Sequence, residues 1–281
     1  FHSTFIVALA IVSAIAVVTF LVWELTDDDP IVDLRLFRHR NFAAGTLVLV
    51  LSFSVFFGME LVSPLWTQRV LGYTAMWAGF AMAPIGFFPV LLVFIVGKYG
   101  PRVDLRLLAA FAFVIFGVSS WLTGSFNTQV NFASLFEVRL LQGLGVAFFF
   151  MPVLTILLSD LEGPEIAAGS GTSTFLRQLG SGFSASIVTF LWDRGAAAQH
   201  VYLSAHVNPY NPISVQALSA FSVQRQQQAL ATVNNLVTQQ GFQLSFDHIA
   251  TTLGLITFAL IPVLLLAKPP FLHHRPEPAK R

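Results

Sequence analysis

The chain has 281 residues, of which 55% are hydrophobic and 10% are charged, and its formal net charge is +1. A soluble domain carries roughly 25% charged residues, so this composition excludes a water-soluble globular protein and predicts an all-α protein that crosses a membrane several times. Cysteine is absent, which excludes disulfides and thiolate metal sites. The first residues, Phe1-His2-Ser3-Thr4, include no initiator Met, so we expect the sequence to start inside a longer protein.

Seven apolar stretches are long enough to cross roughly 30 Å of hydrocarbon as helices. Pro84, Gly86 and Pro89 lie inside the third stretch and predict that this helix is kinked or locally opened. The sixth stretch gives the weakest signal because it is rich in Gly, Ser and Thr. In chain order, the seven stretches are residues 4–23, 42–66, 74–97, 105–123, 134–158, 166–192 and 248–267.

The distribution of Lys and Arg predicts how these spans are oriented. If the loop 25–41 lies in the cytoplasm, ten cations lie on that side and three lie outside, in agreement with the positive-inside rule. The predicted organisation is then an N-terminal span in 1–24, a cytoplasmic loop in 25–41, five spans within 42–192, an external loop in 193–247, a last span in 248–267 and a cytoplasmic tail in 268–281.

A short basic loop between the third and fourth spans is a candidate conformational switch. It contains Gly and Pro, and its single Asp could make and break ion pairs with the nearby cations as the helices move. The alternative is an ordinary positively charged cytoplasmic loop. The candidate residues of this switch loop are Gly97, Lys98, Arg102, Asp104 and Arg106.

Ionisable residues inside the spans are candidates for a substrate cavity, because charge in a bilayer is costly and marks function by default. Arg139 and Gln142 lie in the fifth span, and Glu60 lies at a similar depth in the second, so Glu60 is a candidate for the cavity lining and one candidate partner for Arg139 in a buried pair. Glu137 is a competing partner for Arg139. The alternatives are that Arg139 extends to the external interface and that Glu60 is an interfacial carboxylate.

Two further residues are candidates for the cavity wall. Arg177 lies near the middle of the sixth span, where the sequence offers no Asp or Glu at the same depth, so we expect its side chain to face a cavity rather than lipid. Phe149 lies in a run of three Phe followed by Met151, which suits an adaptable apolar binding surface. A Phe run is also typical of a lipid-facing helix.

The external loop 193–247 has a helical pattern of its own. It is Gln-rich from Ser214 to Thr238, and its apolar residues recur every three or four positions, which predicts one or two amphipathic helices. These helices either cap the bundle or dock a partner protein. The apolar positions are Val215, Leu218, Phe221, Leu230, Val233 and Val237.

Motifs of enzymes are absent from the sequence. It has no phosphate-binding Walker loop, no Gly-x-Ser-x-Gly and no His-Glu-x-x-His. We therefore expect no enzymatic activity, no cofactor, no metal site and no nucleic-acid partner.

Several motifs resemble those of a transporter family. Gly97-Lys98-Tyr99-Gly100-Pro101-Arg102-Val103-Asp104-Leu105-Arg106 and, later, Arg139-Leu140-Leu141-Gln142-Gly143 are similar to the pattern that major facilitator transporters carry in each half. Further stretches along nearly the whole chain resemble EmrB-type fourteen-span drug:proton antiporters of that superfamily. These stretches are residues 23–34, 41–42, 72–79, 150–152, 207–212 and 267–271.

The resemblance implies both an architecture and a function. The seven spans would be one linker helix plus the C-terminal six-helix bundle of a major facilitator fold, with the N-terminal half missing. The expected function is export of hydrophobic, drug-like compounds from bacteria by alternating access, driven by protons across the inner membrane. A periplasmic adaptor and an outer-membrane channel are the implied partners. Two alternatives remain open: a membrane scaffold that docks the adaptor through residues 193–247, and a facilitator for one specific metabolite.

Overall fold

The computed structural model describes residues 4–26, 32–99, 103–207, 226–269 and 271, and within these ranges every regular element is a helix. Six stretches are long and apolar enough to cross a membrane, which agrees with the predicted all-α membrane class. The helices are α1 (Thr4–Thr26), α2 (Arg40–Arg69), α3 (Ala75–Met82), α4 (Phe87–Tyr99), α5 (Leu105–Thr123), α6 (Phe132–Leu158), α7 (Pro164–Ser204) and α8 (Gln226–Leu265), with 3-10 helices at Leu34–Arg38 and Ala83–Gly86.

Helices α7 and α8 are longer than the sequence pattern predicts. They contain 41 and 40 residues, so each extends about 60 Å at roughly 1.5 Å per residue, about twice the hydrocarbon thickness. Residues 193–204 and 226–247 of the predicted loop are therefore helical, because Ala and Gln in these two segments favour helix and neither segment contains Pro. The apolar positions Val215, Leu218 and Phe221 lie outside the described residues.

The sixth predicted stretch, 166–192, forms part of α7 and is not among the six that meet the criterion of length and hydropathy. Its many Gly, Ser and Thr residues lower its hydropathy without interrupting the helix. It lies against α2 and α8, where small side chains permit close approach between helices.

The third predicted span is broken as expected from its prolines. The chain changes from α3 to the 3-10 helix Ala83–Gly86 and then to α4. Pro89 has no N–H to donate to the carbonyl of Ile85, four residues earlier, so this carbonyl is released from the helical pattern. The opened segment packs on α6, where a Cβ added at Gly143 would lie 2.5 Å from the Ile85 carbonyl oxygen.

The core of the bundle lies between α2, α5, α6, α7 and α8. Helix α2 packs against α6, α7 and α8, while α5 packs against α6 and α8 and α4 lies on the outside of α6. No residue in the most apolar part of α1 is buried. Helix α1 contacts the bundle through Phe20, whose ring centroid lies 5.3 Å from that of Phe175 on α7.

Buried amides fix the two ends of the bundle. At one end, Asn41 donates its backbone N–H to Asp160, and its side-chain nitrogen lies 2.7 Å from Asp160 Oδ1 and 2.9 Å from both Ser159 Oγ and the Lys268 carbonyl oxygen. The Asn41 Oδ1 atom accepts the Lys268 N–H at 2.8 Å. These contacts connect the ends of α2, α6 and α8, and we call this end the Asn41 end.

At the opposite end, Trp66 is buried and stacks on Phe246, with ring centroids 4.4 Å apart. Its indole N–H donates to Gln243 Oε1 at 2.9 Å. The Trp192 indole N–H donates to the Phe242 carbonyl at 3.1 Å. Helices α2, α7 and α8 therefore meet here through aromatic side chains, and we call this end the Trp66 end.

Candidate functional site

Glu60, Arg139 and Gln142 form one polar cluster between α2 and α6. An Arg139 guanidinium nitrogen lies 2.7 Å from Glu60 Oε1, and the same nitrogen donates to Gln142 Oε1 at 2.6 Å. Gln142 Nε2 lies 3.4 Å from Glu60 Oε1. Because residues three apart share a face of a helix, Arg139 and Gln142 both point from α6 toward Glu60 on α2.

The cluster is enclosed by the bundle. Arg139 is 5% exposed overall, which a cation tolerates only when it is paired and hydrogen-bonded. Of the two candidate partners, Glu60 is the one that pairs with Arg139. Direct contact of these residues with a substrate stays a prediction.

The interior beside Gln142 is nearly closed. The cavity there has a volume of only about 10 Å³, which is barely enough for one water molecule. A drug-sized ligand needs roughly 300 Å³ or more. The cavity beside Gln142 therefore has no room for a drug-sized ligand in this conformation. The cavity is lined by Ser52, Val55, Phe56, Met59, Phe116, Ser120, Gln142 and Thr257.

Arg177 is a half-buried cation that contacts aromatic rings. Its guanidinium carbon lies 4.5 Å from the ring centroid of Phe53 on α2 and 5.9 Å from that of Phe150 on α6. No carboxylate in the described ranges lies within ion-pair distance of Arg177. Because aromatic faces attract cations, Phe53 and Phe150 hold the guanidinium while leaving its charge available to an anion.

Phe149 does not lie where the sequence predicts. It is 5% exposed, and its ring centroid lies 5.6 Å from that of Phe53, 5.6 Å from that of Phe113 and 5.7 Å from that of Phe116. Successive residues of a helix are rotated by about 100°, so Phe149 points into the core while Phe150 stays on the surface. Phe149 therefore supports the Phe53 ring from within and faces neither an open cavity nor lipid.

The described part of the switch loop is anchored to α5 and to the segment after α8. Asp104 caps α5 by accepting the Arg106 N–H at 3.0 Å, and it pairs with the Arg106 guanidinium at 2.9 Å. Arg106 also donates to the Ala267 carbonyl at 3.3 Å. The side-chain hydrogen bond from Arg106 lowers the pKa of Asp104, although partial burial opposes this effect.

The remaining switch-loop residues give less information. An added Cβ at Gly97 would meet nothing within 4 Å, so the structure gives no steric reason for glycine there. Lys98 lies in the last turn of α4, and Arg102 lies outside the described residues. The role of this loop in conformational change stays a prediction.

Sequence reasoning missed three residues of these sites. Phe53 carries no signal because it is one of many Phe residues in apolar helices, and only the fold places it under Arg177. For Asn41 and Gln243, the only sequence signal of a buried role is an amide side chain near the end of an apolar stretch. In the described ranges, no three His, Asp or Glu residues come together as a metal site.

Comparison with known proteins identifies the family. The sequence model described as Major Facilitator Superfamily matches residues 1–185. The chain is similar to the multidrug export protein EmrB of Haemophilus influenzae, with 37% identity over 275 residues. It is also similar to the fatty acid resistance protein FarB of Neisseria gonorrhoeae, with 38% identity over 273 residues, and to EmrB of Escherichia coli K12, with 38% identity over 274 residues.

Each of these alignments covers 96% of the chain and 54% of the relative. The chain therefore spans about half the length of the curated relatives that it matches. These similarities establish that the chain belongs to the major facilitator superfamily.

Proposed function

We propose that the chain is the C-terminal part of a multidrug efflux transporter that exports hydrophobic compounds by alternating access, driven by proton influx. The relatives named as multidrug export proteins support this function. The structural observation that carries it is Arg177, a half-buried cation held between aromatic rings without a carboxylate partner in the described ranges. Such a site suits an apolar molecule that also carries a polar or negative group.

The geometry favours a binding surface rather than an internal pocket in this half. Because the space beside Gln142 is almost filled, the transported molecule binds on the face that carries Arg177 and is enclosed there by the N-terminal half. Hydrophobic anions are the preferred substrates in this account, since Arg177 is the cation available to them. The name of the relative FarB, a fatty acid resistance protein, agrees with this preference.

The charge distribution supports an orientation for this function. The Asn41 end carries most of the basic residues and lies in the cytoplasm together with the C-terminus, and the Trp66 end faces outward. In a bacterium with two membranes, the transporter then lies in the inner membrane. Export proceeds from the Asn41 end to the Trp66 end, while protons move in the opposite direction.

Removing the Arg177 charge tests the proposed function. In the complete transporter, we expect Arg177→Ala to lower export of a hydrophobic anionic dye by roughly ten- to thirty-fold, because the charge-assisted contact between the guanidinium and the dye, about 1.5–2 kcal/mol, is lost. Arg177→Lys keeps the charge and should retain part of the export. The measurement is the initial efflux rate per amount of protein in the membrane.

The matched control is Arg69→Ala, which removes another cation that lies over an aromatic ring. Arg69 lies 3.6 Å from the Phe242 ring centroid at the Trp66 end, away from the Arg177 face. This variant should export at the wild-type rate. If Arg177→Ala exported the dye at the wild-type rate, with the variant and the wild type equally abundant in the membrane, Arg177 would not be part of the binding site.

We also propose that the outer parts of α7 and α8 contact a periplasmic adaptor, which joins the transporter to an outer-membrane channel. These parts extend beyond the hydrocarbon and are held together by a contact of 3.2 Å between His200 Nε2 and Asn234 Oδ1. Large apolar side chains remain exposed on them, which is typical of an interaction surface. These side chains are Val201, Tyr202, Leu230 and Leu236.

A charged substitution tests this contact. We expect Leu230→Asp combined with Leu236→Asp to abolish co-purification of the adaptor with the tagged complete transporter, because two carboxylates would be buried in the interface. Asn235→Asp, at an exposed position of the same helix about 100° or more around its axis from both leucines, is the control and should leave co-purification intact. If the double variant still co-purified with the adaptor, these leucines would not be part of the contact surface.

A further inference from the structure

Gln243 holds the carboxylate of Asp247 at the Trp66 end. Gln243 is buried, and its side-chain nitrogen donates to the Phe126 carbonyl at 2.9 Å and to Asp247 Oδ1 at 2.7 Å. Its Oε1 accepts the Trp66 indole N–H. Because the indole can only donate, the orientation of the Gln243 amide is fixed, and the hydrogen bond that reaches Asp247 comes from a neutral donor.

No cation in the described ranges balances the charge of Asp247. On α2, Arg69 lies over the Phe242 ring and pairs with Asp193 of α7 at 3.5 Å. The other charged or titratable groups toward this end are Arg194, His200 and Tyr202 on α7, Glu137 on α6, His248 on α8 and Tyr73 after α2, and in the described ranges none of them forms an ion pair with Asp247. Helix α5 after Arg106 and residues 124–131 carry no charged group.

The surroundings of Asp247 limit its hydration. Its backbone carbonyl lies 2.9 Å from the position of a Cβ added at Gly124, so α8 is in close contact with the end of α5. Its neighbours Phe246 and Ala250 are fully buried, and Asp247 itself is half-buried. A half-buried carboxylate without a cation loses part of its hydration without compensation, and binding a proton removes that cost.

We propose that Asp247 is a proton-binding site at the outward-facing Trp66 end of the bundle, which takes up one proton from the external water during export. This inference rests on the proposed proton-driven function. Proton binding converts the carboxylate to a neutral carboxylic acid and breaks no covalent bond. The Gln243 N–H can donate to a carboxyl oxygen in both states, so Asp247 can change its charge without losing its position.

The substitution Asp247→Asn separates proton binding from a structural role. Asparagine keeps the shape and an oxygen that accepts from Gln243, but it cannot bind a proton at neutral pH. In cells that contain the complete transporter, we measure the export rate as external pH varies while internal pH is clamped. The wild-type rate should depend on external pH, and this dependence should be lost in Asp247→Asn.

Asp193→Asn is the matched control. Asp193 is also an acidic residue toward the Trp66 end, but it is exposed and paired with Arg69. This variant should keep the wild-type dependence on external pH. An Asp247→Asn variant that exports with the same pH profile as the wild type would overturn the proposal.

A second measurement uses the unmodified Asp247 and does not depend on transport. Dicyclohexylcarbodiimide, which reacts with protonated carboxyl groups in apolar surroundings, is added to the purified complete transporter at several pH values. Mass spectrometry should find label on Asp247 that increases on acidification. No label on Asp247 at any pH would overturn the proposal even if Asp247→Asn failed to fold.

The two measurements also distinguish this inference from the proposed function. If wild-type export did not depend on a proton gradient, the proposed function would fail regardless of the labelling result. If export were gradient-dependent while Asp247 stayed unlabelled and Asp247→Asn behaved as wild type, only the proton site would fail.

Discussion

Glu60→Ala is expected to destabilise the complete transporter by about 3–5 kcal/mol, because breaking a buried ion pair leaves the other charge without compensation. Arg139 would keep its hydrogen bond to Gln142 but would lose the carboxylate oxygen at 2.7 Å. Because Arg139 is only 5% exposed in this bundle, water cannot easily replace that oxygen. The measurement is the thermal unfolding of the purified transporter followed by tryptophan fluorescence.

Two control variants make this result interpretable. Asp193→Ala breaks the Arg69 pair, whose side chains are 54% and 59% exposed, and this surface pair should contribute only about 0–1 kcal/mol. Glu60→Leu combined with Arg139→Met removes both charges and should recover most of the lost stability. Equal decreases in the unfolding temperature for Glu60→Ala and Asp193→Ala would show that the Glu60–Arg139 pair is not a buried, stabilising contact.

Gly143→Ala should displace the opened part of the third span. The added methyl group would lie 2.5 Å from the Ile85 carbonyl oxygen and 3.0 Å from its carbonyl carbon. Both atoms belong to backbone, so the 3-10 helix must move as a unit, and overpacking of this kind costs about 1–3 kcal/mol. We expect a lower unfolding temperature and a smaller fraction of monodisperse transporter on size-exclusion chromatography.

Gly86→Ala is the matched control for this prediction. Gly86 lies in the same 3-10 helix, but an added Cβ there meets nothing within 4 Å. It should therefore leave the unfolding temperature close to that of the wild type. A Gly143→Ala variant as stable as Gly86→Ala would contradict the close contact between α6 and the opened segment.

Local sequence signals predict much of this fold because each has a direct physical cause. Pro84 and Pro89 cannot donate backbone hydrogen bonds, so the break in the third span follows from composition alone. The pairing of Glu60 with Arg139 follows from the cost of leaving either charge unpaired in a membrane. In both examples, the sequence itself carries the constraint that the structure satisfies.

Other features depend on how distant segments meet, and the sequence pattern misses them. Phe149 and Phe150 are chemically identical, yet helix rotation buries the first beside Phe53 and leaves the second on the surface. The polar residues of 193–247 predict a loop, so the sequence pattern underestimates the lengths of α7 and α8. Helices remain stable outside the hydrocarbon when they pack against each other, as α7 and α8 do. The Gln243 network joins residues far apart in sequence.

The most direct measurement is the efflux of a hydrophobic dye from cells that contain the complete wild-type transporter, with and without a protonophore. If export is proton-driven, we expect efflux that exceeds that of cells without the transporter and falls to their level when the proton gradient is removed. Efflux that persists without the gradient, or no efflux when the protein is confirmed in the membrane, would contradict proton-driven export.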